Sequence, residues 1–328
     1  MEEKKISDFE NAGTIQGFYM IKSISVRKAK NGSFFADLTL SDSTGEINAK
    51  IWDAQENAET FFGSGAIVKV RGDLSQWKGR AQLTIKKIRK AEPQDGLDIE
   101  NFVQSAPESF ESMYGEVLSF IDKMSDPDLK KLSGHLFDSV KDKLSYYPAA
   151  KSNHHAIRCG LLYHTLTMLR VGEKLSSVYS KIDRDLLYAG IIVHDLAKTR
   201  EMESNEMGIV SEYTREGKLL GHIIQGITDI DKAGETLGIP HETVLLLKHM
   251  VLSHHYEPEF GSPRKPMIPE AELLHYIDMI DARMFDFFGS LDKTENGEFT
   301  DRVWTLDNRQ LYKREAAKWS EDNEEQGA

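Results

Sequence analysis

The period of the hydrophobic pattern changes once along this chain, and that change divides it in two. From Gly13 to about Lys90 apolar and polar residues alternate, the two-residue repeat of strands with one face on a core and one in water. The runs IQGFYMIKSISV, FFADLTL, INAKIW, GAIVKVRG and AQLTIKKIRK, broken by turn-forming stretches such as KNGS and SDSTGE, make five strand candidates. Five short strands suit a small closed or nearly closed barrel, because closure hides unpaired edges. In it Phe34, Ala36, Leu38 and Leu40 face inward with Ile47, Ala49 and Ile51, while Phe35, Asp37, Thr39, Lys50 and Trp52 face the other way.

Beyond Ala106 the apolar spacing becomes three or four residues, as in LLYHTLTMLRVGEKLSSVY, RDLLYAGIIVHDLAK and EAELLHYIDMIDARMFDFF, which specifies amphipathic helices. Pro107 and Pro127 suit helix starts, residues 208–213 suit a short hairpin, and the four prolines between Glu257 and Pro269 require a loop. The polar stretch AEPQDGLDIENFVQSA from Ala91 to Ala106 is a linker or wrapping segment. The expected fold is multidomain, an all-β barrel followed by an all-α domain. Its divisions are a barrel over 1–90, a linker and leading helices over 91–150, a helical domain over 151–315, and an acidic tail over 316–328.

The formal charge of −12 over 328 residues argues against a general nucleic-acid binder only if charge is evenly spread. It is not, because residues 1–90 hold 15 basic and 11 acidic residues, a net of +4, and the remainder carries −16. Cys159 is the single cysteine, which excludes an intrachain disulfide framework and a multi-cysteine zinc site. A metal, if held, is held by histidine and carboxylate. The N-terminal MEEKKISDFE lacks the apolar run of a secretory signal, and no stretch approaches the roughly 18 apolar residues of a membrane span. The chain is expected to be soluble and cytoplasmic, with no membrane partner, and a homo-oligomer is compatible with it.

Ten of the eleven histidines lie between His154 and His275. An isolated helical histidine is more often structural than a ligand, and His135, His154, His241, His249 and His275 fit that description, with His155 a candidate for lining a mouth. Others interrupt apolar runs where an unpaired polar group is costly to bury. These are His164 in GLLYHTLTML, His194 and Asp195 after LLYAGIIV, His222 in LLGHIIQG, His254, and Asp278 in LLHYIDMIDARMF. Converging helices would let them supply four nitrogens and two carboxylates, a donor set for one or two divalent ions. Asp195 is the natural bridging ligand, since one carboxylate reaches two metals about 3.5–4 Å apart. His255 diverges from His254 by about 100° on a helix, so it is expected as a second ligand or substrate contact. Asp278 and Asp281 share a helix face, with Asp278 favoured as ligand and the other orienting a histidine or water. Lys198, and also Arg158 or His255, are candidates for neutralising a phosphate.

The order His164, His194-Asp195, Asp278 resembles the signature of the HD-domain metal-dependent phosphohydrolases, and HDLAK resembles their HD-x-x-K segment. His222 and His254 match the additional histidines of two-metal members. The first domain resembles a nucleic-acid-binding OB-fold, most clearly in LTLSDSTGEINAKIWD. Such barrels hold single strands by stacking and phosphate attraction. Candidate stacking residues are Phe35, Trp52 and Trp77, with Tyr19 a weaker one, and candidate phosphate contacts are Arg27, Lys28, Lys30, Lys50, Lys69, Arg71, Lys78 and Arg80.

An OB barrel followed by an HD domain resembles the YhaM-type 3'-5' exoribonucleases of Gram-positive bacteria over nearly the whole chain. The resemblance implies manganese-dependent removal of nucleotides from the 3' end of single-stranded RNA, with single-stranded DNA as a further substrate. Two ions would be held by His164, His194, Asp195, His222, His254 and Asp278. Two other readings stay open at this stage. One is an HD phosphohydrolase or phosphodiesterase for a small nucleotide with a regulatory barrel, and the other a non-catalytic single-strand or DNA-binding protein with structural metals.

Overall fold

The computed structural model describes residues 4–9, 13–29, 32–77, 80–97, 101–151 and 154–315, with Trp77 and Arg80 described in backbone only. Lys30, Lys78 and the acidic tail from 316 therefore lie outside the described residues, as do the side chains of Trp77 and Arg80. The chain divides into two compact units. The first takes in the chain up to Pro107 together with Ile157–Cys159 and Ser204–Ser211; the second takes in Glu108–Ala156, Gly160–Glu203 and the chain from Glu212 on.

The first unit is a five-stranded closed barrel of the OB type. Its strands are β1 (Gly13–Lys28), β2 (Phe34–Asp42), β3 (Gly45–Trp52), β4 (Ile67–Trp77) and β5 (Arg80–Lys90), with a one-turn helix α1 (Ala58–Phe62) between β3 and β4. The order around the barrel is β1-β2-β3-β5-β4, closed by pairing of β4 with the first half of β1. Sixteen residues let β1 serve two neighbours, and a register shift between Ile21 and Ser23 lies where it passes from β4 to β2. Such an irregularity bends a strand and allows closure.

Ala36, Leu38, Leu40, Ile47 and Ala49 fill the interior as alternation predicts, joined by Ile21, Val68, Val70 and Leu83. Each large aliphatic side chain buried there contributes roughly 1.5–3 kcal/mol. Phe34 and Ile51, also expected inside, are only partly buried at the strand ends. Tyr19 is core rather than a surface platform, because its ring is buried and its hydroxyl donates to the Lys4 carbonyl at 2.7 Å. Within the 91–106 stretch Phe102 and Val103 are buried with Phe18 and Met20 in a smaller cluster, so the segment wraps its own unit.

The second unit is helical. In chain order it contains α2 (Phe110–Lys123), α3 (Pro127–Asp138), α4 (Lys141–Leu144), α5 (Gly160–Val178), α6 (Arg184–Val193), α7 (Lys198–Glu201), α8 (Arg215–Leu237), α9 (His241–Ser253) and α10 (Pro269–Leu291). A hairpin of β6 (Met202–Ser204) and β7 (Val210–Tyr213), of which Ser204–Ser211 group with the first unit, precedes α8 in the chain. Side chains of Ser109, Asp126, Asp183 and Thr214 accept from first-turn amides and start α2, α3, α6 and α8, satisfying donors a helix cannot satisfy itself. Pro127 opens α3, whereas Pro107 precedes α2 by three residues.

Helix α6 is apolar all round, and Leu186 through Val193 are all buried. Helices α3, α5, α9 and α10 pack against it. A fully enclosed helix of this kind carries the residues after its C-terminus into the interior, and those residues are His194 and Asp195. No described helix is long and apolar enough to cross a membrane.

Candidate metal centre

Helix α6 ends at Val193, and His194 caps it with its backbone amide on the Gly190 carbonyl. That ending places His194 and Asp195 at 0% and 2% exposure. Four other helices bring the remaining groups: α5 carries His164, α8 carries His222, the residue after α9 is His254, and α10 carries Asp278 and Asp281. In α8 the helical course is broken at Gly221, whose φ of 68° suits glycine, immediately before His222.

The two oxygens of Asp195 face two different pairs of histidines. Its Oδ2 lies 3.3 Å from His194 Nε2 and 3.8 Å from His164 Nε2. Its Oδ1 lies 3.4 Å from His222 Nε2 and 3.8 Å from His254 Nε2. Asp278 Oδ1 is 3.3 Å from His164 Nε2. His164, His194 and Asp195 offer ligand atoms within 4.8 Å of one another, as do Asp195, His222, His254 and His255, and also His194, His254 and Asp278.

All four Nε2 atoms and Asp195 Oδ1 are buried without a hydrogen-bond partner. Such atoms are few in a folded interior, and five of them aimed at one region fit a bound cation. The opposite nitrogens are all held. His164 Nδ1 donates to Asp281 Oδ2 at 2.7 Å, His194 Nδ1 to the Ile191 carbonyl at 2.8 Å, His222 Nδ1 to Glu201 Oε2 at 3.0 Å, and His254 Nδ1 to the Val251 carbonyl at 2.8 Å. A proton fixed on Nδ1 leaves the Nε2 lone pair free, the arrangement that metal-ligating histidines use. The donor set of imidazoles and carboxylates suits Mn, Fe, Co, Ni or Zn, and the residues present fit a divalent ion, with Asp195 able to serve two.

Burial opposes charge on Asp195, but His194 and Lys198 outweigh it and hold the carboxyl well below the usual range. Burial, with the neighbouring His255 and His194 adding to it, pushes His254 far below an ordinary histidine, and burial with His222 lowers His255, which favours the neutral form a metal requires. Against its own burial, His164 is raised to about 10 by hydrogen bonds and charge from Asp278 and Asp281. Lys198 donates to Asp195 Oδ2 at 2.6 Å and is raised by that carboxylate despite burial.

His255 joins the group around Asp195 Oδ1, although helical geometry would turn it away. Helix α9 has ended at Ser253, so the helical angle between neighbours does not apply, and the two rings come to 4.1 Å between centroids. Asp281 takes the orienting role, its Oδ2 also accepting from His155 Nε2 at 2.7 Å. His275, expected to be structural, donates to the His254 carbonyl at 2.7 Å. Arg158 groups with the barrel unit, where its backbone pairs with Ser105 and its Nε donates to the Glu206 carbonyl at 3.2 Å. Glu201 escaped sequence reasoning, yet it holds His222 through both ring and backbone nitrogen.

On the barrel, Arg27, Phe35 and Trp52 stand opposite one another across β1, β2 and β3. Residues directly opposite share a face. The Phe35 and Trp52 rings are 5.6 Å apart, and the Lys50 ammonium lies 5.5 Å and 5.6 Å from their centroids. Trp52 is 55% exposed. Lys28 lies instead over Phe34, on the alternate face, and Lys69 lies over Phe18.

Residues 161–283 match the family model described as HD domain, and residues 20–91 match that of the OB-fold nucleic acid binding domain. Among solved structures, the chain is similar to the second OB-fold domain of replication protein A from Methanococcus maripaludis, with 22% identity, 28% of this chain and 96% of that one covered, and a TM-score of 0.23. It is similar also to the mitochondrial single-stranded DNA binding protein Rim1 from S. cerevisiae, with 16% identity, 25% and 97% covered, and a TM-score of 0.22. For the replication factor A related protein from Methanobacterium thermoautotrophicum the values are 18% identity, 28% and 93% covered, and 0.24.

Proposed function

We propose that the protein is a metal-dependent 3'-5' exoribonuclease that hydrolyses phosphodiester bonds of single-stranded RNA, with single-stranded DNA as a second substrate. The observation that carries the reading is the division of Asp195, one oxygen toward His164 and His194 and the other toward His222 and His254, with all four imidazole nitrogens unpartnered. His164, His194 and Asp278 with Asp195 would hold one ion, and His222 and His254 with Asp195 the other, manganese being the metal that the family resemblance implies. Bound divalent ions supply charge neutralisation on phosphoryl oxygens and a water made acidic enough to attack at neutral pH.

The chain's own residues do the rest. The Nδ1 contacts orient each imidazole with its Nε2 toward the cluster, so little reorganisation is needed as the substrate arrives. Lys198 neutralises Asp195 at rest and can turn to a phosphoryl oxygen, with His255 as the second group near it. Bases of the upstream strand stack on Phe35 and Trp52 while Arg27 and Lys50 meet phosphates. The 3'-5' polarity rests on the family resemblance.

The test is single-stranded RNA labelled at the 5' or the 3' end, incubated with wild-type and Asp195→Ala protein in Mn²⁺, Mg²⁺ or chelator. A metal-dependent ladder from 5'-labelled RNA, with the 3' label released first and neither seen with the variant, is expected. Intact polymer beside hydrolysed small nucleotides would transfer the activity to a nucleotide phosphohydrolase.

A further inference from the structure

The helical unit holds a cleft of about 760 Å³ whose lining includes none of the clustered histidines and aspartates. Its size is that of a small-molecule site. One stretch of chain serves both places. Val193, Leu196, Ala197, Thr199 and Arg200 line the cleft, while His194, Asp195 and Lys198, interleaved with them, belong to the metal cluster. A molecule in the cleft is thus walled off from the reacting centre by the chain itself. It would be a ligand distinct from the substrate.

The cleft is rich in cations. Lys141, Lys143, Arg200 and Lys232 line it against Asp138, Asp142 and Asp229. Two of those acids are engaged, Asp229 by Arg200 at 2.5 Å and Asp138 by the Tyr114 hydroxyl at 3.2 Å. Lys143 is the telling residue. It is half-buried, its ammonium donates to the neutral Thr199 carbonyl at 2.7 Å, and among the described residues no carboxylate pairs with it. An ammonium has three donors, and a cation withdrawn from water without a counter-charge is costly. Burial, with the charge of Arg200 added, holds its pKa below the ordinary lysine value. Beside these cations Leu136, Val140, Ile230 and Ala233 give an apolar wall, a surface that a bare inorganic anion would not use.

We propose that this cleft binds a phosphate-bearing small molecule of nucleotide size, with Lys143 as its central anion contact and Lys141 and Lys232 around it. The proposal stands whether or not the polymer is the substrate of the metal cluster.

The probe is AMP, titrated calorimetrically into the full chain in chelator, beside adenosine and inorganic phosphate. AMP is expected to bind, with adenosine at least about tenfold weaker, as the loss of charge-assisted hydrogen bonds requires. Lys143→Met should weaken AMP by a similar factor, and Lys143→Arg should recover part of it. Asp195→Ala should leave AMP binding unchanged. If Lys143→Met melts early, the exposed pair Lys141→Ala with Lys232→Ala gives the same reading through a severalfold loss. Absence of AMP binding at millimolar concentration overturns the site, as does binding that survives the lysine changes but is lost with Asp195→Ala. Equal affinity for inorganic phosphate and AMP overturns the nucleotide-sized ligand.

Discussion

Asp42 in the barrel and Asp195 in the helical unit are both buried aspartates that follow an apolar run, and their surroundings could hardly differ more. Asp42 Oδ2 accepts from the Ile6 amide at 2.7 Å, and its Oδ1 from the Thr44 amide at 2.8 Å, the Thr44 hydroxyl at 2.6 Å and the Gly45 amide at 3.1 Å. Its capacity is spent on a hairpin and on the N-terminal segment. Asp195 has the Lys198 ammonium on one oxygen and no hydrogen-bond donor on the other, which faces two imidazole nitrogens equally without partners. Burial with satisfaction is architecture. Burial without it, on five atoms gathered around one carboxylate, fits a site for something else to bind.

The largest break of that comparison is Asp195→Asn, which keeps shape and removes charge. Metal-dependent hydrolysis is expected to fall to the level seen in chelator, and metal titration should show loss of at least one ion. Unchanged turnover would mean that the unpartnered atoms serve no chemistry. Next come Glu201→Gln and Asp281→Asn, whose side chains hold the far nitrogens of His222 and His164. Roughly 10- to 100-fold weaker metal affinity is expected for each, with circular dichroism unchanged. Equal affinity would show that carboxylate orientation is irrelevant here.

The same contrast explains how much of this was legible in the sequence. Alternation identified Ala36, Leu38, Leu40, Ile47 and Ala49 as interior because a barrel core is a local pattern read two residues at a time. His164, His194, Asp195, His222 and Asp278 stood out because a polar residue in an apolar helix is locally anomalous. Glu201 sits in the charged stretch KTRE of a four-residue helix, where an acid is unremarkable, and only the fold shows it beneath His222. His255 was judged on a helical angle that lapses one residue earlier. Arg158 lies six residues before His164 in sequence yet groups with the barrel unit. Helix α1 is too short for any period to announce it.

Asp42→Ala probes the satisfied member of the pair. Its removal strands the Thr44 and Gly45 amides, and about 1–3 kcal/mol of stability should be lost as a lower denaturation midpoint, with hydrolysis per folded molecule unchanged. A loss of turnover in folded Asp42→Ala protein would end the distinction between the two aspartates. Trp52→Ala is expected to act more gently, since Phe35 stays behind as a platform beside Lys50. About 1 kcal/mol, or roughly fivefold in affinity for a single strand, is expected, with no change in hydrolysis of a small phosphodiester. Unaltered strand affinity would move the nucleic-acid surface away from the Arg27, Phe35 and Trp52 row.

The smallest effect belongs to charges that are both satisfied and half in water. Arg170 on α5 donates to Glu108 at 2.7 Å and 2.9 Å and to Glu116 at 2.9 Å and 2.5 Å, tying α2 to α5. The guanidinium holds the Glu116 carboxyl below its ordinary 4.5. A carboxyl whose pKa is lower folded than unfolded contributes stability that is fully present above the unfolded value and is lost as pH falls through the folded one. Because the pair is more than a third exposed at the arginine and about a third at the glutamate, solvent screens it, and about 1 kcal/mol or less is expected. The melting temperature of Arg170→Met should therefore lie slightly below wild type at pH 7, and the gap should narrow as pH falls below about 4.5 and Glu116 takes up its proton. A gap independent of pH would assign the contribution to packing of the arginine stem instead. Because these side chains lie outside the metal cluster, the change should leave metal affinity untouched, which separates a charge that holds helices together from one that waits for a ligand.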